Sequence, residues 1–205
     1  EAIRAMRGGG EKDRLAAQAV EYFKSLREAA LFLGVPGRLT VSSLDTYTTA
    51  GLNWLAGQYN NYSLGGYTTW GGIARASSAI FKYGTSKTRY AFTSDEIIYK
   101  ITELPEVSTK VRRVEGDERL GFNIQEVWGP FGSLRLVRHP LLDESGLDTR
   151  MIIVDIKDLR RRVFSAQEVR SGIQDNGAFR EEWSLAVNEG LEHVYPLAAG
   201  IIHDM

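Results

Sequence analysis

The longest helical pattern in this chain lies near its start. Leu15, Ala19, Phe23, Leu26, Ala30 and Leu33 follow one another at steps of three or four, which puts them on one face of a helix over Glu11–Leu33. Gly8-Gly9-Gly10 reads as a flexible lead-in. Charged residues crowd the first turn, Gly34 stands where a C-terminal cap belongs, and Pro36 prevents resumption. The helix would be roughly 34 Å long at 1.5 Å per residue. Its stripe reads as a core-facing surface. A coiled-coil partner is the rival reading, and the stripe spans only about three heptads.

Residues Leu39–Ala74 carry no such period. Asp45 is the only charge in the span, and Tyr47, Trp54, Tyr59, Tyr62, Tyr67 and Trp70 are interleaved with Thr, Asn, Ser and Gly. Low charge argues against a solvated linker, and scattered glycines argue against one long helix. The pattern predicts an extended, irregular excursion, either packed locally or meeting a partner through its aromatics. Helical spacing returns at Ile73, Ala76, Ile80 and Tyr83, closed by Gly84. Arg89–Phe92 reads as a short strand. Thr93 with Glu96 three residues on forms a capping box for a helix carrying Ile97, Ile98, Ile101 and Leu104, ended by Pro105.

Beyond that point the period falls to two. Val107–Val114 reads as a strand with Lys110, Arg112 and Arg113 outward, and Glu115–Glu118 as a turn. Phe122, Ile124 and Val127 open one alternating strand, and Leu134, Leu136 and Val137 another. Gly129-Pro130-Phe131-Gly132 joins them at hairpin spacing. Met151–Ile156 is nearly unbroken in its apolar character, as a central strand covered on both faces would be. Arg180–Val187 alternates again, and His193–Ile202 is a last strand candidate. Helices early and strands late predict an α+β fold rather than a doubly wound sheet.

Composition narrows the function classes. Lys+Arg of 25 against Asp+Glu of 26 leaves a net charge of −1, which predicts no strong general attraction to nucleic acid or an anionic membrane. No residue is Cys, so disulfides and thiolate metal sites are excluded, and no apolar run is long enough to span a bilayer as a helix. The chain opens at Glu1 rather than Met, from which a fragment or processed product is expected.

Chemistry is sparse. His139, His193 and His203 lie at no ligand spacing from one another and read as structural. Asp143, Glu144 and Asp148 around Gly146 lack calcium-loop spacing. Asp155 and Asp158 close the buried strand, where turn capping is the expected role and a catalytic carboxylate the rival. Arg160-Arg161-Arg162 is the densest basic run, either a wet surface or a contact with an acidic neighbour or phosphate. A nucleoside-phosphate loop, a Gly-x-Ser-x-Gly elbow and a His-Glu-x-x-His pair are all missing from the sequence. No catalytic, cofactor-binding or metal-binding residue is expected.

The order of these features resembles the major capsid proteins of tailed bacteriophages, with the Hong Kong 97-type capsid fold, and looks closest to the Siphoviridae-like subgroup typified by the SU-ten capsid family. The resemblance is carried by Glu28-Ala29-Ala30-Leu31-Phe32-Leu33-Gly34, by Phe81-Lys82-Tyr83-Gly84, and by Gly129–Leu134 with Arg138-His139-Pro140. The apolar strand ending in Asp155, Glu182–Val187 and Ala198-Ala199-Gly200-Ile201 also match. It implies a lead-in and spine helix over 1–38 in a peripheral domain, a mainly axial domain over 39–150, and returning strands over 151–205 that complete the sheets. It implies a virion subunit made in the host bacterial cytoplasm. That subunit would assemble with copies of itself as pentamers and hexamers around double-stranded DNA, which it touches weakly and without sequence specificity. No enzyme activity, cofactor or membrane is implied. The family's N-terminal arm and extended loop have no counterpart before Glu11, so an N-terminally shortened subunit is expected. Tyr47, Trp54, Tyr59, Tyr62, Trp70, Arg160, Arg161 and Arg162 are the candidate subunit contacts. The rivals are an encapsulin-like compartment, a small hydrolase using Asp155 or Asp158, and a monomeric binding module using Tyr47–Trp70.

Overall fold

The computed structural model describes residues 10–41, 44–84, 86–105, 111–113, 125–171 and 183–205. They divide into two compact units, one of Glu1–Gly51 with Arg161–Leu191 and one of Leu52–Arg160 with Glu192–Met205. The helix and strand content is mixed, in keeping with an α+β chain.

The first unit opens with helix α1, Gly10–Leu33, within one residue of the predicted bounds. Strands β1 (Gly37–Val41) and β2 (Leu44–Thr48) then pair antiparallel, with Gly37 opposite Thr48 and Val41 opposite Leu44. The remainder is a two-stranded ribbon of β9 (Leu159–Ser171) and β10 (Trp183–His193), whose first and last residues belong to the second unit. Gly34 does follow the helix, but it is not a left-handed cap: the positive-φ glycines are elsewhere. It is glycine because a Cβ there would lie 2.3 Å from the Ala30 carbonyl oxygen and 2.7 Å from that of Thr49. Gly51 donates its N–H to the Gly34 carbonyl at 2.7 Å, so this backbone approach closes the loop.

The second unit is built on a seven-stranded mixed sheet in the order β3-β11-β8-β4-β7-β6-β5. Its strands are β3 (Asn61–Ser63), β4 (Thr88–Thr93), β5 (Val111–Arg113), β6 (Gln125–Trp128), β7 (Ser133–Arg138), β8 (Met151–Val154) and β11 (Gly200–His203). β8 is buried at all four positions, as its unbroken apolar run predicted. Helices α2 (Leu52–Ala56), α3 (Trp70–Phe81), α4 (Asp95–Glu103) and α5 (Pro140–Glu144) complete the unit. Ile73, Ala76 and Ile80 from α3 and Ile97 and Ile101 from α4 share one apolar cluster with Leu134, Leu136, Met151, Ile153 and Ile202 from the sheet. The hairpin at Gly129–Gly132 is present, with Gly129 N–H bonded to Gly132 O at 2.8 Å and Trp128 opposite Ser133.

Several expectations are corrected. Leu39–Ala74 is not one irregular excursion: it contributes β1 and β2 to one unit and α2, β3 and the start of α3 to the other. These pieces are too short, and too rich in Thr, Asn and Gly, to display a period. The helices-then-strands order fails for the same reason. The cap of α4 is Ser94 rather than Thr93. Thr93 is the last residue of β4, while Ser94 accepts from Ile97 N and donates to Asp148 O at 2.5 Å. His193–Ile202 is not one strand, because a 3₁₀ turn at Pro196–Ala198 separates β10 from β11. The strand over Val107–Val114 is described only as Val111–Arg113. Glu115–Glu118, Phe122, Ile124 and Arg180–Glu182 lie outside the described residues.

Ser94 is fully buried, so its loss costs both a cap and an internal hydrogen bond. Ser94→Ala is expected to lower the stability of the unassembled subunit by about 1–3 kcal/mol, read as a lower urea midpoint with an unchanged slope. Thr93→Val is expected to cost far less, because the Thr93 hydroxyl has no hydrogen-bond partner.

Candidate functional site

Two features carry function-bearing side chains: an uncovered apolar surface on the first unit and a buried ionic cluster in the second. The surface begins with α1. Among its described side chains only Phe32 is buried. Leu15 and Leu26, both on the predicted stripe, are 54% and 50% exposed, and Tyr22 beside them is 66% exposed. A stripe read as core-facing is therefore largely open to solvent in a single chain. The ribbon repeats this pattern. Phe164 is 89% exposed, and Val163 and Val169, which point to the opposite face by strand alternation, are exposed as well. Leu15, Tyr22, Leu26, Val163, Phe164 and Val169 were not among the expected contact residues. The helical period marks Leu15 and Leu26 as apolar but does not say that they stay exposed among the described residues.

Within this unit Arg27 of α1 reaches β10. Its Nε and Nη2 donate to the Glu189 carboxylate, the second at 2.6 Å, and Arg161 Nε approaches the same carboxylate at 3.3 Å. Glu189 is 5% exposed at its side chain. The Arg27 bond, with Coulomb attraction from Arg27 and Arg161, holds the Glu189 carboxyl below its ordinary pKa against the opposing effect of burial. Below this fork lies a groove of about 320 Å³ lined by Phe23, Leu26, Ala30, Leu31, Tyr47 and Val187, among others.

The expected contact residues are dispersed. Tyr47 is 71% exposed on β2. Trp54, Tyr59 and Tyr62 belong to the second unit, with Tyr59 exposed and Tyr62 lining an open groove of about 460 Å³ beside Tyr67 and Arg75. Trp70 is buried at the start of α3 and packs in the core, so its side chain is not a surface for a partner. Arg160, Arg161 and Arg162 lie consecutively at the start of β9, all exposed, so they alternate between its faces rather than forming one basic patch.

The second feature was not visible in the sequence. Arg89, on β4, is completely buried. The antiparallel register that sets Tyr90 opposite Val154 brings Arg89 level with Asp155, and Nη1 donates to Asp155 Oδ2 at 2.5 Å. Nη2 donates to Tyr83 O at 2.8 Å, at the C-terminal end of α3, and the guanidinium lies over the Phe81 ring. Gly84 takes φ +88°, and a Cβ there would fall 2.5 Å from Arg89 Nη2. Desolvation pushes the Arg89 pKa down, opposed by Asp155 and Asp158. Asp155 also accepts from Lys157 N at 3.1 Å, the turn-capping role expected of it. Asp158 and His193 are buried beside this pair.

Among the described residues, the helix and ribbon of the first unit leave large apolar side chains exposed, whereas the sheet unit has a packed apolar core. The chain belongs to the SU10 major capsid protein family, whose model matches residues 1–205. It is a viral structural protein of the virion, a major capsid subunit. No curated protein matches the chain. No helix among the described residues is long and apolar enough to cross a membrane.

Removing one partner from a buried ion pair leaves an uncompensated charge, which typically costs about 3–5 kcal/mol. Arg89→Met and Asp155→Asn are each expected to destabilise on that scale in denaturant unfolding, and the double variant Arg89→Met with Asp155→Asn by less than the sum of the two. For Glu189 the sign is that of a depressed carboxyl. Its contribution is present above the unfolded pKa of about 4.5 and is lost as pH falls through the lower folded value. Glu189→Gln should therefore reduce stability at neutral pH and flatten the acid side of the stability profile.

Proposed function

We propose that this capsid subunit adopts the Hong Kong 97-type fold and tiles an icosahedral shell as pentamers and hexamers around double-stranded DNA. In this reading α1 is the spine helix, the unit containing α1 and the β9–β10 ribbon is the peripheral domain, and the seven-stranded unit is the axial domain. The boundaries expected from the sequence are thereby redrawn: residues 39–51 go with the peripheral domain, and residues 151–160 and 192–205 with the axial domain. The role is structural, not enzymatic, and synthesis takes place in the host bacterial cytoplasm.

The observation that carries the reading is the open apolar surface of α1 and β9. A single chain leaves Tyr22, Leu26 and Phe164 in water, and about 25 cal/mol is recovered for each Å² of apolar surface covered. Many modest contacts of this kind, repeated by symmetry, suffice to hold a shell. Tyr47, Trp54, Tyr59, Tyr62 and Arg160–Arg162 are the further contact residues in this reading. A net charge of −1 favours weak, sequence-independent contact with the enclosed DNA, since tight phosphate binding requires a cationic surface.

Phe164→Ser provides the test. A side chain that is 89% exposed contributes little to the isolated fold, and stability should change by no more than about 0.5 kcal/mol. Shell assembly, followed by sedimentation and negative-stain microscopy, should be strongly impaired relative to the parent protein. Parent protein that stays as single subunits under every assembly condition, or a variant that assembles as well as the parent, would overturn the reading.

A further inference from the structure

Asp158 immediately precedes the first residues of β9 and His193 ends β10, all within the second unit, and neither side chain makes a hydrogen bond described so far. The two segments are joined by Val194 N–H donating to Asp158 O at 2.9 Å. His193 is only 9% exposed, and neither of its ring nitrogens has a hydrogen-bond partner. Asp158 is 5% exposed, and its Oδ2 is likewise unpartnered. Buried polar atoms are nearly always paired, so two joined segments that leave three such atoms unpaired are a point of weakness.

We propose that His193 is a proton-operated release at the foot of the β9–β10 ribbon: the neutral imidazole stays packed beside Asp158, and the imidazolium draws water in and opens the Val194–Asp158 backbone bond. The charged groups acting on the ring are Asp158, Asp155 and Arg89. Arg89 is a cation already committed to Asp155, so it repels a second cation and occupies the carboxylate that would otherwise hold it. Asp158 attracts the imidazolium without hydrogen-bonding to it. Burying a charge without such a bond costs more than that attraction returns. Desolvation accordingly outweighs the two carboxylates and lowers the His193 pKa.

The sign follows from that direction. A histidine whose folded pKa lies below its unfolded value of about 6.5 contributes fully above the unfolded value, and its contribution is lost as pH falls through the folded one. Acid therefore favours the opened foot. The inference does not depend on the shell reading, because every residue in it belongs to one unit of a single chain.

Hydrogen exchange of the unassembled full chain, normalised for the intrinsic pH dependence of amide exchange, reads the opening directly. Between about pH 7.5 and about pH 5, protection at Leu159–Arg160 and Glu192–Val194 should fall roughly tenfold while β8 stays protected. His193→Gln should remove the acid response at these segments. The ring itself gives a second readout in the unaltered protein: its NMR titration midpoint should lie below about 6.5. A midpoint at or above that value overturns the proposal, as does an acid response that survives in His193→Gln. If the variant fails to fold, the ring titration decides alone.

Discussion

The fully buried guanidinium of Arg89 is the interaction on which the sheet unit depends. A cation at the centre of a seven-stranded sheet is tolerated only if its charge is matched and hydrogen-bonded; Arg89 meets this through its two Nη atoms, while its Nε has no hydrogen-bond partner. Asp155 matches the charge, and the carbonyl of Tyr83 takes a second donor. Each partner comes from a different element, so one side chain ties β4 to the end of β8 and to the C-terminal end of α3. Gly84 exists to let it do so, since any Cβ there would meet the guanidinium. Asp155 passes the constraint on by capping the turn that leads into β9. β4, the end of β8, the end of α3 and the turn at Ile156–Asp158 are thus held to one another by a few hydrogen bonds.

The first unit obeys a different economy. Its helix and ribbon are held by the Arg27–Glu189–Arg161 fork and by backbone pairing, with little apolar burial along most of α1. A helix of 24 residues in a water-soluble chain would ordinarily bury its apolar face. Here Leu15, Tyr22 and Leu26 remain exposed, and in the shell reading proposed above the surface that completes the helix comes from neighbouring subunits. Phe23, Leu26 and Ala30 of the same stripe also line the groove inside the unit.

Much of this was legible in the chain itself. The spine-like helix was found within a residue, the hairpin at Gly129–Gly132 at its turn, and β8 by its apolar run, because each has a period or length that no other element shares. Beyond the bounds of individual elements, the order of motifs pointed to the capsid family. What the pattern concealed was short or non-local. β1, β2 and β3 are short and carry Thr, Asn, Ser or Gly where a buried face would be apolar, so no alternation shows. The α4 cap was misplaced by one residue because Thr93 and Ser94 are chemically alike, and only the extent of β4 decides between them.

The order of residues by itself determined the longer elements, the absence of thiol chemistry and the near-neutral charge, since periodicity and composition act locally along the chain. Tertiary structure alone decided which apolar residues are covered and which charges meet. Leu26 and Ile80 are equally apolar on paper, yet one is half exposed and the other buried, because burial depends on what the rest of the chain brings alongside. Arg89 and Asp155 are 66 positions apart, and the register of two antiparallel strands brings them together. Strand register is settled by packing over the whole sheet, and no window of sequence contains it.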